Sequence, residues 1–185
     1  LITIAAFDQT AVMSVMPTIT ASLGAPGGTA YTLTFTAATA ASIFAMVAGG
    51  MLADSRGAMR TLRGSGLLFV AGLVLAVVTP TMPIFLVARV FQGLGGGAIV
   101  VAIYAIIAVI YPSQLQTKMF AALAGAWVIP TLIGPGVAGI ITESLSWHWL
   151  FGISAAASII VFPLLPRTTT PLTRETDHRN ATKML

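Results

Sequence analysis

Cysteine is absent, which excludes a disulfide framework, a thiol nucleophile and any cysteine-ligated metal site. Charge is nearly as scarce: nine Lys and Arg with five Asp and Glu amount to 8% of 185 residues, where a soluble domain carries about a quarter. So few charges cannot clothe a water-facing exterior of this size. Also missing are an H-E-x-x-H pair, paired acids within an apolar run, and a Ser with a His partner, which argues against a membrane-embedded enzyme. What fills the chain instead is 57% hydrophobic residues and a mean hydropathy of +0.96, the composition of a polypeptide dissolved in lipid. The isoelectric point near 10.1 does not imply nucleic acid, because the basic residues are scattered over short connections and form no patch.

Crossing about 30 Å of hydrocarbon takes about 20 apolar residues in a helix. Six runs qualify: about 1–19, 31–52, 62–78, 83–108, 119–141 and 149–165. They are continuously apolar, unlike the alternating strands of a membrane barrel. The expected fold is therefore an all-α membrane protein, a six-helix transmembrane bundle over 1–166. The polar segment 167–185, rich in Thr, Arg and Pro, reads as a disordered cytoplasmic tail or inter-half loop. The chain opens at Leu1 inside an apolar run, without initiator Met, basic n-region or small-residue cleavage site. It reads as a fragment whose first helix lacks its cytoplasmic end.

Cytoplasmic loops retain Lys and Arg. Arg56, Arg60 and Arg63 fall between spans two and three, Lys118 between four and five, and Arg167, Arg174, Arg179 and Lys183 after six. All lie on one side. The opposite connections, 20–30, 79–82 and 142–148, hold no Lys or Arg and a single acid, Glu143. Both ends are thus expected in the cytoplasm, in a multi-pass protein of the cytoplasmic membrane. Trp147 and Trp149, at the outer end of span six, fit an interfacial belt. Small residues, among them Gly93, Gly95, Gly96 and Gly97 in span four and Gly134, Gly136 and Gly139 in span five, suit close helix packing.

Asp8 and Arg89 are the ionisable residues deep inside the spans, and each costs several kcal/mol there unless paired or wetted. At 1.5 Å per residue Asp8 lies about 15 Å, and Arg89 about 10 Å, from the outer ends of their spans. The nearly matching depths predict a shared aqueous cavity in which protonating Asp8 changes the electrostatic state; a static ion pair between two helices is the competing explanation. Met13, Met16, Phe91, Tyr104 and Trp127 are candidates to line an apolar substrate cavity.

Four motifs, in order over Asp8 to about Phe151, resemble the drug:proton antiporter branch of the major facilitator superfamily. Asp8, Thr10, Val12, Pro17 and Ile19 are similar to its first-helix pattern, with Met13 in place of Asn. Gly50, Leu52, Ala53, Asp54, Gly57 and Leu62 resemble the loop G-x-L-A-D-R-x-G-R-K; Ser55 and Ala58 stand where basic residues are expected, and Arg56 and Arg60 are displaced. Arg89, Gln92, Gly93 and Gly95 are similar to R-x-x-Q-G-x-G, and the spacing puts Arg89, Gln92, Gly93 and Gly96 on one helical face. Gly134, Pro135 and Gly139 resemble the antiporter core G-P-x-x-G, with Pro130 a turn earlier and Ala138 replacing a Gly; two prolines should kink this helix. The run Trp147, His148, Trp149, Leu150 and Phe151 resembles W-R-W-x-F of the fourteen-span carriers.

The resemblance implies the N-terminal half of a carrier, two inverted three-helix repeats that pair with a second bundle around a midplane site. It implies alternating access, proton-coupled efflux of small hydrophobic or cationic compounds, Asp8 and Arg89 in proton coupling, and Gly50, Asp54, Arg56, Gly57 and Arg60 as a cytoplasmic gate. The expected partners are lipid, protons, a small-molecule substrate and the missing C-terminal half. No cofactor or metal is expected, the proton gradient supplying the energy. A superfamily importer of nutrients or metabolites is the alternative, against which the span-five motif speaks; a non-transporting scaffold is a third.

Overall fold

The computed structural model describes residues 1–25 and 27–165. The expectations for the segment from Arg167, including Arg174, Arg179 and Lys183, lie outside the described residues. Among those described there are six α-helices and no strand: α1 (Ile2–Ser22), α2 (Gly28–Arg56), α3 (Ala58–Val77), α4 (Met82–Ile110), α5 (Ser113–Ser144) and α6 (Trp147–Val161), with a closing 3₁₀ turn at Phe162–Leu164. All six, α6 taken together with its 3₁₀ turn as Trp147–Leu164, are long and apolar enough to cross a membrane. In hydrocarbon a helix satisfies its own amide and carbonyl groups, so apolar runs of this length have no competing conformation.

The helices outrun the apolar segments at their charged ends. Arg60 and Arg63 lie in the first two turns of α3, and Lys118 lies in α5, because helical backbone pairing continues into the headgroup layer. The α2–α3 connection is a single residue, Gly57, at φ +95° and ψ 139°, a conformation that a side chain would strain. At the α4–α5 turn the Gln116 amide donates to the carbonyls of Ala108 (3.1 Å) and Tyr111 (2.9 Å), satisfying acceptors that the end of α4 leaves free. Pro83 occupies the first turn of α4, where its missing N–H costs nothing.

α4 packs along α2 on one side and α3 on the other, while α1 packs along α5 and α3 touches α6. Exchanging α1–α3 with α4–α6 turns the α1/α5 pair into the α4/α2 pair. Since two spans lie between corresponding helices, the two repeats cross the membrane in opposite senses, as inverted repeats do. The core is made by Met16, Ile19, Phe69, Leu73, Phe85 and Phe151, all fully buried. Outward faces stay apolar, with Leu132 81% and Phe44 68% exposed; water would not tolerate this, and lipid favours it.

Trp147 departs from the interfacial belt. It is buried, packs edge-to-face on Phe85 (5.9 Å between centroids) and Phe151 (6.0 Å), and its indole N–H donates to Ser22 Oγ at 2.9 Å. Trp149, by contrast, is exposed. Two residues apart on a helix point about 200° away from each other, so only one of the pair can face the headgroups.

Candidate functional site

α1 and α4 each bring one ionisable side chain into the interior. Arg89 Nη1 donates to Asp8 Oδ2 at 2.8 Å and also to Gln92 Oε1 one turn along α4. Exposure is 3% for Asp8, 4% for Arg89 and 3% for Gln92. This is the one ion pair among the described residues. A bidentate grip on the carboxylate is absent: the same guanidinium nitrogen serves a charged and a neutral acceptor. Arg89 Nε and Gln92 Nε2 are buried and have no hydrogen-bond partner.

The unpartnered donors belong to residues that border a recess of about 50 Å3 beside the pair, walled by Asp8, Gln9, Phe35, Thr39, Phe69 and Gln92. A buried water needs about 10–15 Å3 of such space and two or more polar partners, both of which are met here. A larger cavity of about 210 Å3 lies between α1, α2, α4 and α5, bordered by Gln9, Thr39, Ser42, Met46, Gly96 and Trp127. A third, small recess is bordered by Gln9, Met13, Met16, Tyr31, Phe35 and Arg89. Gln9 therefore touches all three, while Asp8 borders only the recess beside Arg89.

Of the expected cavity residues, Met13 and Met16 line the small recess and Trp127 the large cavity. Tyr104 instead stacks on Phe120 at 5.3 Å, and Phe91 is half-buried; neither borders these three cavities. At the α2–α3 turn Asp54, Arg56 and Arg60 are exposed and Gly57 makes the reversal. Close approach at this end of α2 falls on Gly49: a Cβ there would lie 3.0 Å from Ala98 Cβ, whereas at Gly50 it would meet Val101 at an ordinary 3.7 Å.

α5 is continuous through Pro130 and Pro135. Pro130 and Gly134 are buried, and a Cβ on Gly134 would come within 2.8 Å of Thr10 Oγ1, so two of the sequence motifs meet at the α1–α5 contact. Pro135 is exposed and Gly139 has open space beside it. On α4, Gly93 and Gly97 face the α2 backbone at Ala38 and Ser42, and Gly95 faces α3 at Phe69. No cluster of metal-ligating side chains occurs among the described residues.

Gln9, Thr39, Ser42 and Gly72 were not singled out from sequence. The first three are polar residues within apolar runs, a signal that was present in the sequence. Gly72 gave none: only the fold shows that a Cβ there would press on Gln92 at 2.8–2.9 Å.

A sequence profile described as Major Facilitator Superfamily matches residues 1–184. An uncharacterized MFS-type transporter of Mycobacterium tuberculosis is 35% identical over 158 residues, 85% of this chain and 23% of its own length. Multidrug resistance protein 3 of Bacillus subtilis is 32% identical over 83% of this chain and 30% of its own. The chain thus spans less than a third of the length of these curated relatives. Among solved structures, a proton:xylose symporter superposes with a TM-score of 0.76 at 18% identity, over 89% of this chain and 42% of that one. A peptide transporter gives 0.72 at 19% identity, over 99% and 41%. At such identities the likeness is one of fold.

Proposed function

The chain belongs to the major facilitator superfamily, and from that premise we propose that it is the N-terminal half of a proton-coupled antiporter that exports small hydrophobic or cationic compounds across the cytoplasmic membrane. It is a multi-pass membrane protein and a transporter rather than an enzyme. The observation that carries the antiport reading is the Asp8–Arg89 pair, held in hydrocarbon beside a recess with room for water. A titratable acid in that setting is a functional group by default, since a structural role is filled more cheaply by apolar packing. A relative named for multidrug resistance supports the export direction.

In this reading a proton arriving from outside neutralises Asp8, the ion pair loosens, and α1 and α4 change their balance of attraction. The cavity between α1, α2, α4 and α5 is half of the substrate chamber, and a second bundle closes the other half. Gln9, Thr39 and Ser42 supply its hydrogen-bonding wall and Met46 and Trp127 its apolar wall. Asp54, Arg56 and Arg60, exposed at the α2–α3 turn, belong to the gate on the cytoplasmic face. No cofactor enters: one proton moving down 100 mV contributes about 2.3 kcal/mol.

The test is efflux of ethidium from proteoliposomes holding the complete carrier under an imposed proton gradient. Efflux that collapses on adding an uncoupler is expected; uptake of a nutrient in its place, or no flux, removes the antiport reading. Orientation is checked separately, and the lack of cysteine makes this half a clean background. Ser55→Cys, exposed at the α2–α3 turn, should react with an impermeant maleimide only from the cytoplasmic side, and Ser144→Cys, exposed at the end of α5, only from outside. The reverse pattern inverts the topology and, with it, the direction of transport.

A further inference from the structure

Nothing in the antiport reading accounts for Gln92. Its Oε1 accepts from the same Arg89 nitrogen that holds Asp8, it is as buried as the ion pair, and its Nε2 is left without a partner. Its position is built: Gly72 of α3 leaves a space that the Gln92 side chain and backbone fill, and a Cβ on Gly72 would lie 2.9 Å from Gln92 Cγ. We propose that Gln92 is a positioning residue that keeps the Arg89 guanidinium in place while Asp8 takes up and releases its proton. The inference rests on the proton-coupling role of Asp8.

A guanidinium cannot discharge itself, so neutralising Asp8 strands a positive charge in a low-dielectric site. Two features of the site lower that cost. The Gln92 carbonyl is a neutral acceptor already in contact, forming a charge-assisted bond that remains when the carboxylate is gone. The recess bordered by Asp8, Gln9, Arg89 and Gln92 has volume for water beside the pair. With both in place Arg89 does not swing away, and the site returns to the same geometry on each cycle.

Among the described residues, no Asp, Glu, Lys or Arg besides Asp8 and Arg89 borders this recess. α2 presents Phe35, Ala38 and Thr39 to the recess and α3 presents Phe69. Tyr31 of α2 borders the small recess on the other side of Arg89. α5 meets α1 through Gly134, and the α6 histidine, His148, lies in the first turn of that helix, held to Ser146. Gln92 thus has a distinct electrostatic signature. Removing its carbonyl leaves Arg89 undivided to Asp8 and favours the carboxylate; making it a carboxylate saturates Arg89, repels Asp8 and favours the protonated acid.

The experiment follows the carboxyl infrared band of Asp8 against pH in the complete carrier in lipid, the band being assigned by its loss in Asp8→Asn in each background. Gln92→Leu is expected to move the titration midpoint down by about one pH unit and Gln92→Glu to move it up by about one, the size that one nearby charge or hydrogen bond confers. Gln92→Met, unbranched and of similar length, should act as Gln92→Leu does and replaces it if that variant does not fold. In transport, Gln92→Leu should lower kcat with the KM for ethidium unchanged. Midpoints that do not move, or that move the same way in both variants, overturn the proposal and leave Gln92 a packing residue. Opposite shifts in a carrier with no uncoupler-sensitive efflux would uphold the positioning role while removing antiport. Wild-type efflux with unmoved midpoints would do the reverse.

Discussion

Asp8→Asn is expected to abolish proton-driven export by the complete carrier, lowering its rate by about two orders of magnitude or more, the range associated with losing a positioned proton donor and acceptor. Asparagine preserves shape and can still accept from Arg89 Nη1, now bonded to Asp8 Oδ2 at 2.8 Å, but it has no proton to exchange. Exchange of labelled substrate at equal concentrations on both sides should survive, because it needs the chamber and the rocking motion but no proton. Full proton-driven export by a folded Asp8→Asn carrier would make the pair a static brace between α1 and α4.

The two partners should differ in what their loss does to stability. Asp8→Asn leaves a buried guanidinium without its counter-charge, a defect that costs up to about 3–5 kcal/mol when a buried pair is broken from one side and that the Gln92 carbonyl lessens without removing. Arg89→Met leaves a carboxyl that escapes the same cost by taking a proton. Thermal unfolding in detergent should therefore rank Asp8→Asn as the less stable of the two. The inverse ranking would mean that the Gln92 carbonyl and the asparagine oxygen together replace the carboxylate in full as acceptors of Arg89.

The solvent, the number of spans and the Asp8–Arg89 meeting were legible in sequence for one reason: charge in hydrocarbon is expensive, so its absence marks the spans and its rare presence marks the site. Depth along each helix follows from a fixed rise of 1.5 Å per residue, which is enough to bring Asp8 and Arg89 level. Rotation about the helix axis is less legible. At 100° per residue an error of one position changes the neighbour, which is why Trp147 turns inward while Trp149 does not. The same uncertainty separates Trp127, which reaches the large cavity, from Tyr104, which stacks on Phe120. Gln9 escaped for a different reason: an uncharged amide carries a smaller burial cost than a carboxylate, so its presence in an apolar run raises no comparable alarm, although it borders all three of the recesses described above.

Gly93→Ala, the addition of one methyl group, is expected to destabilise the bundle by about 3 kcal/mol or more, at the upper end of what overpacking costs. The Cβ would overlap the carbonyl oxygen of Ala38 and lie 3.1 Å from its carbonyl carbon. Both are backbone atoms of α2, so no rotamer change relieves the clash and the helix itself has to move. Gly97 repeats the close approach one turn on, against Ser42, and a Cβ on Gly95 would lie 2.5 Å from the Phe69 backbone nitrogen of α3 on the other side. α4 is thus wedged between two helices, and a shift away from one drives it into the other. In a bilayer the hydrophobic effect does not pull helices together, so close backbone approach of this kind carries much of the association energy. The displacement would also reach the charge pair, since Gln92 adjoins Gly93 and Arg89 lies one turn away. Gly136→Ala in α5, with open space beside it, is the matched control and should leave the unfolding temperature unchanged. Equal unfolding temperatures for Gly93→Ala and Gly136→Ala, measured on purified carrier in detergent, would mean that α2 and α4 are not held at this distance, and that the glycines of α4 serve flexibility rather than contact.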